Sequence, residues 1–164
     1  MIRRLFIAVL WTLILSACVN DDEPEVRSLV VAGEQVPQFE VVLSDGTPVS
    51  SQSLLGRWYV IAFFETSCSD CRRELPRLEE FHLMRPDVPL LCISRGEDAA
   101  SVAAYWQSNG FTMQYSAQPD ATVYHRFATA GVPRVYIINS AGIVTAEYLE
   151  SSIPAPEALA ELVP

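Results

Sequence analysis

The most specific chemistry in the chain lies in Cys68-Ser69-Asp70-Cys71, two thiols separated by two residues. At the start of a helix, the first sulfur of such a pair faces backbone N–H groups and the positive end of the helix dipole, which favours a thiolate. The second sulfur, one turn deeper, can attack a mixed disulfide formed on the first, so the spacing suits thiol–disulfide exchange. Other uses of the pair ask for residues that the chain does not supply. A zinc site needs about four ligands, and the remaining candidates, Cys92, His82 and His125, stand in no paired spacing. Covalent haem attachment requires His directly after the second cysteine, and position 72 is Arg. A bridge closing so short a loop restrains the unfolded chain little, which makes a purely structural disulfide a weak reading. No metal and no prosthetic group are expected.

These thiols need a scaffold, and the flanking pattern supplies one. Trp58 to Phe64 is an apolar run rich in aromatic and β-branched residues, which predicts a strand buried on both faces. Residues from about Ser69 to Met84 have helical composition, with Pro76 inside and Pro86 as a stop. Val88 to Ser94 reads as a second buried strand. Asp98 caps a helix that runs to Asn109-Gly110, and Pro119-Asp120 opens a short helix through Phe127. Val135–Asn139 and Ile143–Tyr148 form strands around Ser140-Ala141-Gly142, and a last helix spans Pro154 to Val163. Upstream, Phe39–Leu43 and Thr47–Ser50 flank a Gly-containing turn and read as a hairpin. Strands alternating with helices predict an α/β fold with a mixed central sheet flanked by helices.

The N-terminus is organised differently. Arg3 and Arg4 precede an apolar run from Leu5 to Leu15, too short to span a bilayer but suited to a signal-peptide core. The run ends in Leu15-Ser16-Ala17-Cys18, which resembles the lipobox of bacterial lipoproteins. That resemblance implies a signal peptide over residues 1–17, lipid attachment at Cys18 and a place in the bacterial cell envelope. Without Asp at position 19 it further implies the outer membrane, facing the periplasm. Residues 18–32, opening with Asp21, Asp22, Glu23 and Glu25 around Pro24, read as an acidic tether. In some bacterial groups such a stretch looks like a surface-export signal; a solvated linker is the plainer reading. Residues 33–164 form the domain.

Taken together, the motifs resemble thioredoxin-fold proteins of the TlpA/ResA type, membrane-anchored thiol–disulfide oxidoreductases. Gly33 to Phe39 with Asp45-Gly46-Thr47 resembles that group's N-terminal hairpin extension, and Phe63 to Cys71 its active-site turn. The family's two cysteines followed by Glu and Pro map onto Cys68, Cys71, Glu74 and Pro76. Gly131-Val132-Pro133 followed by the strand from Arg134 resembles the loop holding the family's cis-proline. The resemblance implies Cys68 as nucleophile and Cys71 as resolving thiol. It also implies Glu74 as a carboxyl able to move the proton of Cys71, the alternative being a solvated glutamate paired with Arg77 or Arg73, and a Val132–Pro133 backbone edge turned toward the disulfide for an extended substrate. Expected partners are protein thiols and disulfides, a redox-recycling protein, and the membrane through Cys18.

Departures from the family matter too. Ser67 stands where Trp is usual, Glu65 replaces a small residue, and Ala62 stands where thioredoxin carries a buried Asp. Glu65 either substitutes for that relay or caps the strand end in solvent, the second being the simpler expectation. A thiol peroxidase of the related peroxiredoxin superfamily is an alternative, disfavoured because Ile61 and Glu65 occupy the positions where its active site needs Pro and Thr. A non-catalytic metal-carrying or binding module is another. Cys92, within Leu90-Leu91-Cys92-Ile93, reads as a buried apolar side chain. His82 reads as a helix C-terminal residue, His125 as a surface one, and Trp58, Tyr105 and Trp106 as core.

The composition agrees. In 164 residues there are 11 cations, all arginine, against 20 acids, giving a formal charge of −9. That balance disfavours nucleic acid as a partner. Half the residues are hydrophobic, which excludes a disordered chain.

Overall fold

The computed structural model of the protein describes residues 28–164; the signal segment, Cys18 and the acidic residues through Glu25 lie outside the described residues. A short antiparallel hairpin, β1 (Glu40–Val42) and β2 (Pro48–Ser50), precedes the main sheet. Gly46 lies in its turn at φ 86°, a backbone geometry that favours glycine. The five-stranded sheet has the order β5-β4-β3-β6-β7. At its centre is β3 (Tyr59–Phe64), every residue of which is buried, as a strand covered on both faces requires. On one side β4 (Leu90–Ser94) runs parallel to it, followed by β5 (Tyr115–Ser116). On the other side β6 (Arg134–Ile138) runs antiparallel and pairs with β7 (Val144–Leu149).

Adjacent residues of β3 point to opposite faces, and the aromatic side chains show what covers each. Phe64 packs on Trp106 of α2 (Ala99–Asn109), with ring centroids 4.9 Å apart. Phe63 meets Phe127 at 4.9 Å and Tyr124 at 5.4 Å on the other face, where Phe39 also reaches Phe127 at 6.2 Å. Each such side chain stabilises the fold by roughly 1.5–3 kcal/mol through burial. The helix α1 (Ser69–Met84) buries Cys71, Leu75, Leu78 and Phe81, a stripe at three- and four-residue spacing, and packs against α3 (Pro156–Glu161). Its Glu79 accepts hydrogen bonds from the N–H groups of Thr112 (2.9 Å) and Met113 (3.0 Å), tying the loop after α2 to the same face. Pro76 sits inside α1 on the exposed side; the carbonyl it leaves without an intrahelical donor can meet water, so the helix continues through it.

Most predicted elements fall within two residues of their observed positions, with differences that have physical reasons. The stretch from Pro119 to Phe127 is not a continuous helix: Asp120 Oδ1 accepts from the Thr122 N–H (2.8 Å), and only Tyr124–Arg126 forms a 3₁₀ turn. The last helix starts at Pro156, the proline at its first position, and not at Pro154. Residues 28–32 belong to the domain and not to a free tether. Ser28 bridges to Ala128, the Leu29 N–H donates to the Phe127 carbonyl (2.8 Å), and Val30 is buried. Trp106 and Cys92 are core, whereas Trp58 and Tyr105 are half-buried at its margin. His82 lies in the last turn of α1 with Nδ1 buried and lacking a hydrogen-bond partner, and His125 is exposed. No helix among the described residues is long and apolar enough to cross a membrane.

Candidate active site

Sheet topology brings three segments to one edge. β3 and β4 are parallel, so their C-terminal ends lie side by side; β6 is antiparallel to β3, so its N-terminal end lies there too. Outside this edge are the turn from Glu65 to Cys68, the turn from Arg95 to Glu97, and Val132–Pro133. Ligands of open α/β sheets gather at such carboxyl ends.

Cys68 is the N-cap of α1, in extended conformation (φ −76°, ψ 126°) and half-buried. A cysteine side chain cannot cap a helix as Ser or Asp does, so the free N–H groups of the first turn remain beside the sulfur. Asp70 in that turn is the charge complement of the dipole. The Cys68 thiol donates to the Val132 carbonyl at 3.5 Å, and the Val132–Pro133 peptide is cis. Cys71 lies one turn deeper and fully buried, accepting the Glu65 backbone N–H at 3.4 Å. Burial pushes the Cys71 thiol up; the Glu65 N–H opposes this, and Cys68 and the Glu65 carboxylate add to it. Cys68, Cys71 and Val132 therefore form one contiguous group.

Glu74 makes the expected pair with Arg77 but is buried, and Glu65 departs from expectation. Glu74 is only 5% exposed, and its carboxylate accepts from Arg77 Nη1 at 2.8 Å. Burial holds its pKa above the usual value against the pull of Arg77 and Arg73. It is thus buried and ion-paired at once. The Glu65 carboxylate adds to the upward push on Cys71. Glu65 is not a strand cap in open solvent: its Oε1 accepts from Arg95 Nε at 2.5 Å, with both side chains about three-quarters buried.

Two further devices fix the turn. Both Glu97 carboxylate oxygens accept from the Thr66 N–H at 3.0 Å, and Oε1 also accepts the Thr66 hydroxyl at 2.5 Å. Arg72 Nε donates to the Thr66 carbonyl at 2.7 Å, while Arg73 pairs with Asp70 at 2.5 Å. Both arginines that follow Cys71 are thus engaged elsewhere than at a Cys68 thiolate. Arg95, Glu97 and Thr66 were not singled out by sequence reasoning; the only signal for them is the Phe64–Ser94 register, which needs the fold first.

A cavity of about 580 Å³ lies between the hairpin and β5, and a groove of about 560 Å³ runs along the outer side of α1 past Arg72 and Arg77; neither is lined by Cys68 or Cys71. Among the described residues no group of three or more His, Cys, Asp and Glu is placed to hold a metal ion.

Comparison with known proteins places this geometry. ResA, a thiol-disulfide oxidoreductase of Bacillus subtilis strain 168, is 24% identical over 133 residues, covering 77% of this chain and 74% of that protein. A Bacteroides thetaiotaomicron protein, provisionally described as a protein disulfide isomerase, superposes with a TM-score of 0.77 at 28% identity, over 84% of this chain and 90% of that one. The crystal structure of StoA from Bacillus subtilis, 20% identical, shares the fold with a TM-score of 0.65 over 78% and 98% of the two chains. Residues 32–147 match the AhpC/TSA family along most of the domain, and the chain belongs to that family.

Proposed function

We propose that the protein is a thiol–disulfide oxidoreductase that exchanges disulfides with other proteins through Cys68 and Cys71. The observation that carries this reading is the contact of an accessible N-cap thiol with a buried second thiol, beside the Val132 carbonyl. In the reducing direction the Cys68 thiolate attacks a substrate disulfide. A Cys68–substrate bond forms, and one substrate sulfur leaves as a thiolate that takes up a proton. Cys71 then loses its proton to solvent and attacks Cys68 Sγ, forming the Cys68–Cys71 disulfide and releasing the second substrate thiolate. Two electrons pass from the pair to the substrate, and a partner protein dithiol returns them; the oxidising direction is the reverse. No prosthetic group takes part. The similarity to ResA supports the activity, and the half-buried Cys68 thiol beside the Val132 backbone suits an extended protein segment as substrate.

The domain acts at the cell envelope, held to a membrane by lipid on Cys18 after removal of residues 1–17. Arg3, Arg4, the apolar run and Leu15-Ser16-Ala17-Cys18 support that anchoring.

Trapping tests the assignment. A Cys71→Ser variant mixed with a disulfide-bonded protein should accumulate a mixed disulfide through Cys68, seen by mass spectrometry, while the wild type turns over without accumulating it. Fast consumption of hydrogen peroxide without exchange would instead establish the thiol peroxidase.

A further inference from the structure

Cys71 is the thiol whose ionisation closes the catalytic disulfide, and the charged groups around it come from three segments. Cys68 adjoins it on its own helix. Tyr105 approaches from α2, with Arg72 near that ring. Glu65, from the turn after β3, donates its N–H to the sulfur and also brings a carboxylate. These two contributions oppose each other: the N–H favours a Cys71 thiolate, and the carboxylate disfavours it. Both contributions come from one residue.

Arg95 resolves the conflict. Its backbone N–H donates to the Phe64 carbonyl at 2.9 Å, continuing the β3–β4 ladder past Ser94, so that Arg95 emerges beside Glu65. Its Nε takes the Glu65 carboxylate at 2.5 Å, and its guanidinium lies over the Tyr124 ring, 5.1 Å from the centroid. The Tyr124 hydroxyl in turn donates to the Gly131 carbonyl at 2.9 Å, one residue before Val132. One side chain thereby connects the turn carrying Cys68 with the loop carrying Val132–Pro133.

We propose that Arg95 is a positioning residue for disulfide exchange: by holding Glu65 in an ion pair it shields Cys71 from that negative charge and sets the rate at which the second thiol closes the disulfide. The inference rests on the dithiol reading above. With Arg95 removed, the uncompensated carboxylate disfavours the thiolate, so fewer Cys71 sulfurs are ionised at a given pH and closure slows. With Glu65 neutralised instead, the arginine charge is left over and closure speeds up.

The test follows reduced full-length protein reacting with an aromatic disulfide reagent that releases nitrothiobenzoate. Cys68 releases one equivalent and keeps the other as a mixed disulfide; Cys71 expels that one in a phase whose rate is independent of reagent concentration. In Arg95→Met this phase should slow roughly three- to tenfold at pH 7, its pH profile moving upward. Arg95→Lys, which keeps the charge, should stay near wild type, and Glu65→Gln in the Arg95→Met background should restore the wild-type profile. Glu65→Gln alone should accelerate the phase, a gain that damage to the fold does not produce. An unmoved profile in Arg95→Met, or a double variant as slow as Arg95→Met, overturns the proposal and leaves the dithiol reading intact. Absence of the concentration-independent phase in the wild type overturns both.

Discussion

Cys71 and Cys92 are both fully buried free thiols, and burial pushes both well above the ordinary cysteine range. They differ in what surrounds the sulfur. Cys71 lies beyond the C-terminal end of β3, against a second thiol and a backbone N–H. Cys92 lies inside β4, opposite Ala62, with its thiol toward Met113 Sδ at 3.5 Å. The contrast teaches that burial sets how reluctantly a thiol ionises, whereas its neighbours decide whether ionisation leads anywhere. In the proposed exchange Cys71 needs to ionise only once a mixed disulfide stands within reach, and a high resting pKa protects it until then. Among the described residues Cys92 meets the thioether of Met113 and no second thiol, and it serves as a small apolar side chain.

The largest expected effect probes the partner that makes Cys71 different. Cys68→Ser should lower the rate of protein-disulfide reduction by on the order of a thousandfold or more, measured against insulin with dithiothreitol as electron source. Activity near wild type would erase the contrast between the two buried thiols. Cys92→Ala should leave that rate unchanged and instead cost about 1–2 kcal/mol in urea unfolding, through lost burial and a small cavity. A loss of exchange at wild-type stability would place Cys92 in the chemistry.

Smaller effects concern the supports around Cys71. Glu97→Ala frees Thr66, and exchange should fall roughly three- to tenfold as the turn loosens. Glu74→Gln should act on stability and not on exchange. Its folded pKa is raised, so the stability linked to its proton is present below the unfolded value and is lost as pH rises through the folded one. Glutamine mimics the protonated form, so the thermal midpoint of the variant relative to wild type should rise between pH 4 and pH 7. A relative midpoint that falls over this range would make the Arg77 pair the dominant influence on Glu74.

Legibility in the sequence followed the distance over which each feature is determined. The buried strand at residues 59–64 and the helix from Ser69 through Met84 were readable because composition and periodicity are local. Asp98 and Gly110 were readable as caps for the same reason: Asp98 accepts the Ser101 N–H at 2.9 Å, and Gly110 adopts φ 67°. Tyr115–Ser116 is too short to carry a period, and its pairing depends on β4 already being in place. The ion pair of Glu65 with Arg95 and the grip of Glu97 on Thr66 span 30 and 31 residues, and only the parallel register makes them neighbours. Glu74 was legible in its i,i+3 pairing with Arg77 but not in its burial, which comes from packing of the whole domain.

Disulfide mapping of the full-length protein after one turnover with a protein disulfide tests the central claim most directly. The account predicts a single new bridge, Cys68–Cys71, with Cys92 still a free thiol. Turnover that leaves both Cys68 and Cys71 as thiols, or that places Cys92 in the bridge, would contradict it.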